Sequence, residues 1–284
     1  MTFSAFFSEN QYLTSGLAVG ALTASFYLYR LRRPSLTLVK LNWKPGIIYY
    51  IAPPIRPKSL PSISPYGVKL ETFLKVSGLD YESVKSAQRS PKGNFPFIEY
   101  NGKAYSDTNL IMRFLSKEFQ SADLDRYLSD EDKARSLAFY WMFEEVLMRC
   151  LVYLGMHDFA KFSQELDNPK SGLRSKIILN LFIKRAIYRS NTTKLYYQGF
   201  GRFNLEELRG IFHECLESAN AQLAKKEYLF GDTISRADVT LFAILYYMHA
   251  IPSLGGAKLI SEQYPSLTEY TRKNHQRFWP EYKI

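Results

Sequence analysis

Between residues 53 and 65 the sequence PPIRPKSLPSISP places five prolines in thirteen positions. Proline lacks the backbone donor that a helix interior and a central strand both need, so neither element can run through this stretch. It separates two segments of different character. On its N-terminal side, GIIYYIAP (46–53) is β-branched and aromatic, the composition of a strand. On its C-terminal side, SPYGVKLETFLKVSGL sets Tyr66, Leu70, Phe73 and Leu74 on one helical face. Ser64 takes the N-cap position and Pro65 the first helical position, where its missing N–H costs nothing, and Gly78 suits the C-terminal end. A strand, a loop and a helix opening on Ser64-Pro65-Tyr66-Gly67 are therefore expected in that order.

Further along, YESVKS reads as a second strand, and FPFIEYNGKAYS as a hairpin that turns at Asn101-Gly102. DTNLIMRFLSKEF then returns to helical spacing. Strand, helix, strand, hairpin and helix in about 75 residues suit a small α/β layer. From about residue 128 the pattern is helical. SDEDKARSLAFYWMFEEVLMRCLVYLGM opens with acidic residues behind a Ser129 cap, which suits the helix dipole. NLEELRGIFHECLESANAQL starts with the capping-box pair Asn204 and Glu207, and SRADVTLFAILYYM with Ser235 and Asp238, again three apart. No internal repeat or low-complexity tract is evident.

Residues 12–29, YLTSGLAVGALTASFYLY, run for eighteen positions without a charge, near the lower limit for spanning a hydrocarbon core. Tyr12, Tyr27 and Tyr29 lie near its ends, and Arg30, Arg32 and Arg33 follow at once, so the positive-inside rule puts the C-terminal side in the cytosol. A cleaved signal peptide fits less well, because a basic n-region is absent and Leu22 sits two before Ala24. Gly16 and Gly20 form one G-x-x-x-G. The only N-x-[ST] sequon begins at Asn191, which a cytosolic domain leaves unglycosylated. RSKIILNLFIKRAIYR (174–189) mixes basic and apolar positions. Two readings stay open for it: a helix lying on anionic lipid, or a segment packed on the core with its basic side solvated.

The formal charge of +10 is scattered, and no RNA-binding signature or zinc-finger spacing accompanies it, so nucleic acid is not an expected partner. The two cysteines, Cys150 and Cys215, lack C-x-x-C spacing, which excludes a disulfide framework and a thiol cluster for a soft metal.

Four blocks together resemble a known family: SISPYGVKLETFLKVSGLDYE, RSPKGNFPFIEYNGKAYSDTNLI, QGFGRFNLEELRG and YLFGDTISRADVTLF. They resemble the failed axon connections (Fax) family, whose members look like metaxins and share the glutathione-transferase fold. With its N-terminal anchor and no cysteine in the Ser64–Gly67 loop, the chain looks most like the nematode cadmium-responsive branch. The resemblance implies a thioredoxin-like α/β half over 46–120 and an all-α glutathione-transferase half over 121–284. These follow a short tail (1–11), one transmembrane helix (12–29) and a basic linker (30–45). It further implies a role in stress or cadmium detoxification, lodging on a lysosomal or other endomembrane, or alternatively on the mitochondrial outer membrane. A homodimer or a protein partner is implied as well.

For the site, the resemblance implies glutathione as ligand, with no covalently bound cofactor and no resident metal. Phe95, preceding a cis Pro96, pairs its backbone with the cysteinyl part. Asp107 and Thr108 hold the γ-glutamyl end, although the family pair is usually Glu-Ser, and Asp is a methylene shorter. A purely structural reading stays open beside this, with Pro96 fixing the strand start and Ser106, Asp107 and Thr108 serving as N-cap residues. Ser64 stands where cysteine-type relatives carry a reactive thiolate, and Gly67 where Fax relatives often have cysteine. Thiol–disulfide chemistry is thus excluded at this loop. Two readings of Ser64 and Tyr66 stay open: structural residues of the helix start, or hydrogen-bond donors to a bound thiolate. The rival from another class is a non-catalytic adaptor, in which Phe95 and Tyr66 fill the pocket above Pro96.

Overall fold

A computed structural model describes residues 44–53, 57–165, 184–224 and 226–283. The first strand, β1 (Ile48–Ala52), is buried along its whole length. After the proline-rich passage comes α1 (Pro65–Val76), with Pro65 at its first position and Gly78 in the left-handed region at φ 63° just beyond its end. That conformation costs a residue without a Cβ nothing. The chain then enters β2 (Tyr81–Lys85), which pairs parallel with β1, so α1 is the crossover that a parallel pair needs.

β3 (Phe97–Tyr100) and β4 (Lys103–Ser106) form the expected hairpin, with Asn101 and Gly102 both at positive φ in the turn. β3 lies antiparallel to β1, giving the order β2-β1-β3-β4. Ile48, Tyr50, Ala52 and Ile98 face a core shared with Leu70, Phe73 and Leu74 of α1 and with Ile111, Met112 and Leu115 of α2 (Thr108–Glu118). Each such side chain contributes about 1.5–3 kcal/mol on full burial. Glu99, alternating with Ile98, is fully buried and neither carboxylate oxygen has a hydrogen-bond partner among the described residues. Burial pushes its carboxyl up to about 7.

The helical half begins at Ser129, whose hydroxyl accepts from the Asp132 N–H and starts α3 (Asp130–Trp141). The long helical run expected here is interrupted by a π-helical turn over Met142–Leu147, where the Met148 N–H reaches back five residues to the Phe143 carbonyl. It resumes as α4 (Met148–His157) and α5 (Phe159–Gln164). Next among the described residues come α6 (Lys184–Tyr197), α7 (Leu205–Leu223) and α8 (Arg236–Ala250). Both expected capping boxes are present, Asn204 with Glu207 and Ser235 with Asp238. α9 (Gly256–Gln263) and α10 (Pro265–Phe278) close the chain.

α8 is apolar nearly all round, which requires burial on every side, and it packs against α1 as well as α3 and α10. Polar bonds stitch the two halves around it. Tyr246 donates to the Ser59 carbonyl, Tyr247 to the Ile63 carbonyl, and the Trp279 indole to Thr72 Oγ1.

The charge-free run at 12–29, the tail before it, residues 30–43 of the linker, and residues 174–183 of the basic amphipathic stretch lie outside the described residues. Among the described residues no helix is long and apolar enough to cross a membrane.

Candidate functional site

The first turn of α1 presents Ser64 and Tyr66. Ser64 holds the N-cap position with extended backbone (φ −94°, ψ 127°), yet its hydroxyl makes no capping bond. The reason lies in the backbone. The Gly67 N–H, which an N-cap side chain would receive, donates instead to the Ser64 carbonyl at 2.8 Å, and Val68 N–H follows at 3.1 Å. The Ser64 side chain is therefore not consumed as a cap. Gly67 itself is held tightly, since a Cβ there would lie 2.2 Å from Ser62 Oγ and 3.1 Å from the Tyr50 hydroxyl. Tyr66 accepts a hydrogen bond from Arg149 Nη1 at 3.3 Å. Burial, outweighing the Arg149 charge, raises its phenol well above the ordinary value, so it stays protonated and able to donate at neutral pH.

The Phe95-Pro96 peptide is cis, with Pro96 buried directly before β3. At the other end of the hairpin, Asp107 is the N-cap of α2 at φ 75°. Its Oδ1 accepts from the Asn109 N–H (3.0 Å) and the Leu110 N–H (3.2 Å), so one carboxylate oxygen is committed to the cap. Thr108 follows as the first residue of the helix and is buried. At such a position the N–H points out of the helix start, towards any anion placed there.

These six residues, from the α1 start, the turn before β3 and the α2 start, all line one cavity of about 890 Å³. Phe95 and Tyr66 stand at its wall without filling it. The opposite wall comes from the helical half and is largely apolar, with Val152, Met156, Phe162 and Ile187 among its residues. Three cations also line it: Arg89 from the loop before Phe95, Arg149 from α4 and Lys194 from α6. Arg149 pairs with Glu145 at 2.8 Å. Asn191, the sequon residue, lines the cavity too.

Sequence reasoning missed these three cations and the buried joint beside them. Lys69 of α1, fully buried, donates to Glu144 Oε2 and to Asn109 Oδ1, both at 2.7 Å, and Tyr140 donates to the same Asn109 oxygen. Burial lowers the Lys69 ammonium, and the Glu144 charge opposes that shift. A signal existed in Glu145 and Arg149, charges four apart inside an apolar run. Nothing in the run marked Glu144 as facing inward, because the π-helical turn that aims it there breaks the 3.6 period.

No histidine lines the cavity among the described residues: His213 meets the Tyr264 hydroxyl, His249 the Leu245 carbonyl, and His275 lies against Tyr246. Ser64 thus has no histidine beside it in the described lining to act as its base, and no hydrogen bond of its hydroxyl to a carboxylate activates it among the described residues, so it is read as a hydrogen-bond donor. Cys150 and Cys215 are buried in the helical half and absent from the described lining; burial pushes Cys150 up to about 12 and Cys215 up to about 11. Among the described residues no group of three or more His, Cys, Asp or Glu is placed to hold a metal.

Comparison with known proteins places these observations. Residues 65–160 match the glutathione S-transferase N-terminal domain, and residues 202–273 its C-terminal domain. The chain is 31% identical over 262 residues to Failed axon connections of Drosophila melanogaster, covering 86% of this chain and 60% of that protein. It is 25% identical over 191 residues to Metaxin-3 of Danio rerio, covering 64% of this chain and 60% of that one. The chain thus spans three-fifths of the length of each. Among solved structures, a glutathione S-transferase of Ceriporiopsis subvermispora in complex with glutathione shares the fold, with a TM-score of 0.54 at 18% identity over 84% of this chain and 98% of that chain.

Proposed function

We propose that the cavity of this chain, which is similar to Failed axon connections and has the glutathione-transferase fold, binds glutathione and activates the bound thiol for conjugation. The observation that carries this reading is convergence. Ser64, Tyr66, Phe95, Pro96, Asp107 and Thr108 come from three separate segments and line one open cavity. The Phe95 backbone would pair with the cysteinyl backbone as an added strand does. The Thr108 N–H would meet the γ-glutamyl carboxylate, and the Asp107 carboxylate its ammonium. Ser64 Oγ and the Tyr66 hydroxyl would donate to the sulfur at the α1 start, lowering a thiol from its usual value of about 8.5. The thiol proton passes to solvent, and the thiolate sulfur forms the new bond to an electrophilic carbon, whose leaving group departs with its electron pair, as chloride does from 1-chloro-2,4-dinitrobenzene. No cysteine of the chain takes part, so the activity is not thiol–disulfide exchange.

On this reading a role in cadmium or stress detoxification, as in the nematode branch, runs through glutathione. A soft cation calls for several thiolates, which two separated buried cysteines do not offer. The run at 12–29 would anchor the domain to an endomembrane with the cavity on the cytosolic side. An adaptor on a membrane is the second reading, favoured by the similarity to Metaxin-3.

Titration calorimetry of the full chain with glutathione tests the proposal. The informative variant is Asp107→Asn, which keeps an N-cap side chain that tolerates positive φ but removes the charge. Glutathione affinity should fall about tenfold while thermal stability changes little. No binding by the native chain, or equal affinity in the variant, overturns the ligand assignment. Binding without conjugation of 1-chloro-2,4-dinitrobenzene leaves the adaptor.

A further inference from the structure

The described cavity, at about 890 Å³, sits near the top of the range of about 300–1,000 Å³ that holds one drug-sized ligand, so it has room beside a tripeptide. What lines the remainder is unusual in combination. Val152, Met156, Phe162 and Ile187 make an apolar wall, yet Arg89 and Lys194 line the same cavity. The Lys194 ammonium makes no ion pair or hydrogen bond among the described residues. Among the described residues the Arg89 guanidinium is engaged only by the Gly93 carbonyl and the Phe95 ring, both neutral. Cations with no carboxylate partner beside apolar surface are complementary to a molecule that is apolar along its body and negative at its head.

We propose that the helical side of the cavity binds an apolar molecule bearing a carboxylate, and that Lys194 selects for that head. This rests on the glutathione reading only for assigning the opposite side to the tripeptide. Partial removal from water, with Arg89 and Arg149 as neighbouring like charges, already lowers the Lys194 ammonium below its usual range, and a bound anion would relieve that field. Arg149 is a poorer candidate for the head, because Glu145 already neutralises it.

The test compares octanoate with octan-1-ol, which share a chain and differ in charge, by calorimetry on the full protein without glutathione. Octanoate should bind about tenfold more tightly than the alcohol, and Lys194→Met should erase that difference while leaving alcohol binding unchanged. Lys194→Arg, which keeps the charge, should restore it. Equal affinity for the two probes, no binding of octanoate, or an undiminished preference in Lys194→Met overturns the proposal. Glutathione is titrated separately into Lys194→Met. Unchanged glutathione affinity supports the assignment, and a parallel loss would place Lys194 on the tripeptide and overturn it. A native chain that binds octanoate with this preference but not glutathione keeps the carboxylate site and sinks only the glutathione reading.

Discussion

At the scale of single residues, the loop Ser64-Pro65-Tyr66-Gly67 is governed by space as much as by chemistry. The sequence shows that this loop lacks thiols; it does not show why position 67 is glycine. A Cβ there would lie 2.2 Å from Ser62 Oγ and 2.7 Å from Ser62 Cβ, both within a buried shoulder of the proline-rich passage. The Gly67 carbonyl also accepts from the Tyr50 hydroxyl at 3.1 Å, which draws the helix start onto β1. In an exposed helix, Gly→Ala gains about 1 kcal/mol. Here overpacking, at about 1–3 kcal/mol, outweighs that gain. Gly67→Ala is therefore expected to lower the urea midpoint by an amount equivalent to up to about 2 kcal/mol, and Ser62→Gly in the same chain to recover part of it. A Gly67→Ala protein as stable as the native one would show that the shoulder yields freely. Ser64 teaches the same lesson in another way. Its N-cap position was readable from Ser-Pro, but the fate of its hydroxyl depended on the Gly67 N–H turning to the Ser64 carbonyl.

At the scale of elements, the sequence was most legible where a local rule settles the matter alone. Asn101-Gly102 gives the hairpin, Pro65 the start of α1, and Ser235 with Asp238 the start of α8. It was silent on the π-helical turn over Met142–Leu147, since one extra residue in a helix leaves the composition unchanged while rotating all that follows. The α8 capping box has a further consequence that spacing does not reveal. Asp238 is completely buried and accepts from the Leu229 N–H, the Ser235 N–H and hydroxyl, and the Tyr270 hydroxyl. Burial nevertheless prevails over these donors and pushes its carboxyl up to about 6. A folded-state value above the unfolded one means that the contribution to stability is complete below the unfolded value of about 3.9 and is lost as pH rises through about 6. Between pH 5 and 7.5 this group should cost the fold about 1.4 kcal/mol. His249 and His275 are shifted down by burial and act in the opposite sense, but they do so equally in a variant. Urea denaturation at the two pH values should thus show Asp238→Asn with a profile shifted by that amount relative to the native chain. Parallel profiles would mean that Asp238 is ionised throughout.

At the scale of the whole described unit, the cavity exists because the two halves meet at a defined separation, and one buried polar joint does much to define it. Lys69 belongs to the α/β half and Glu144 to the helical half; Asn109 and Tyr140 extend the contact on either side. The sequence could not disclose this joint, because its partners lie 75 residues apart and one of them depends on the π-helical turn. The Lys69 and Glu144 side chains are 0% and 4% exposed, so both lost their hydration on folding. Such a pair adds little net stability compared with apolar residues of the same volume, but removing one partner strands the other. Lys69→Met leaves Glu144 as an unpaired carboxylate at the cavity edge, and Glu144→Leu leaves a buried ammonium with no carboxylate bonded to it among the described residues, facing Asn109 and the Tyr66 and Tyr140 rings. Each single change is expected to cost about 3–5 kcal/mol in denaturant unfolding. The double variant Lys69→Met with Glu144→Leu should return to within about 1 kcal/mol of the native chain, because Tyr140 still satisfies Asn109 and no charge is left alone. If the joint only fixes the separation of the halves, the double variant also keeps native glutathione affinity. Additive losses in the double variant would show instead that the pair is itself a net source of stability. A double variant restored in stability but deprived of ligand would make Glu144, which lines the cavity, a binding residue as well as a structural one.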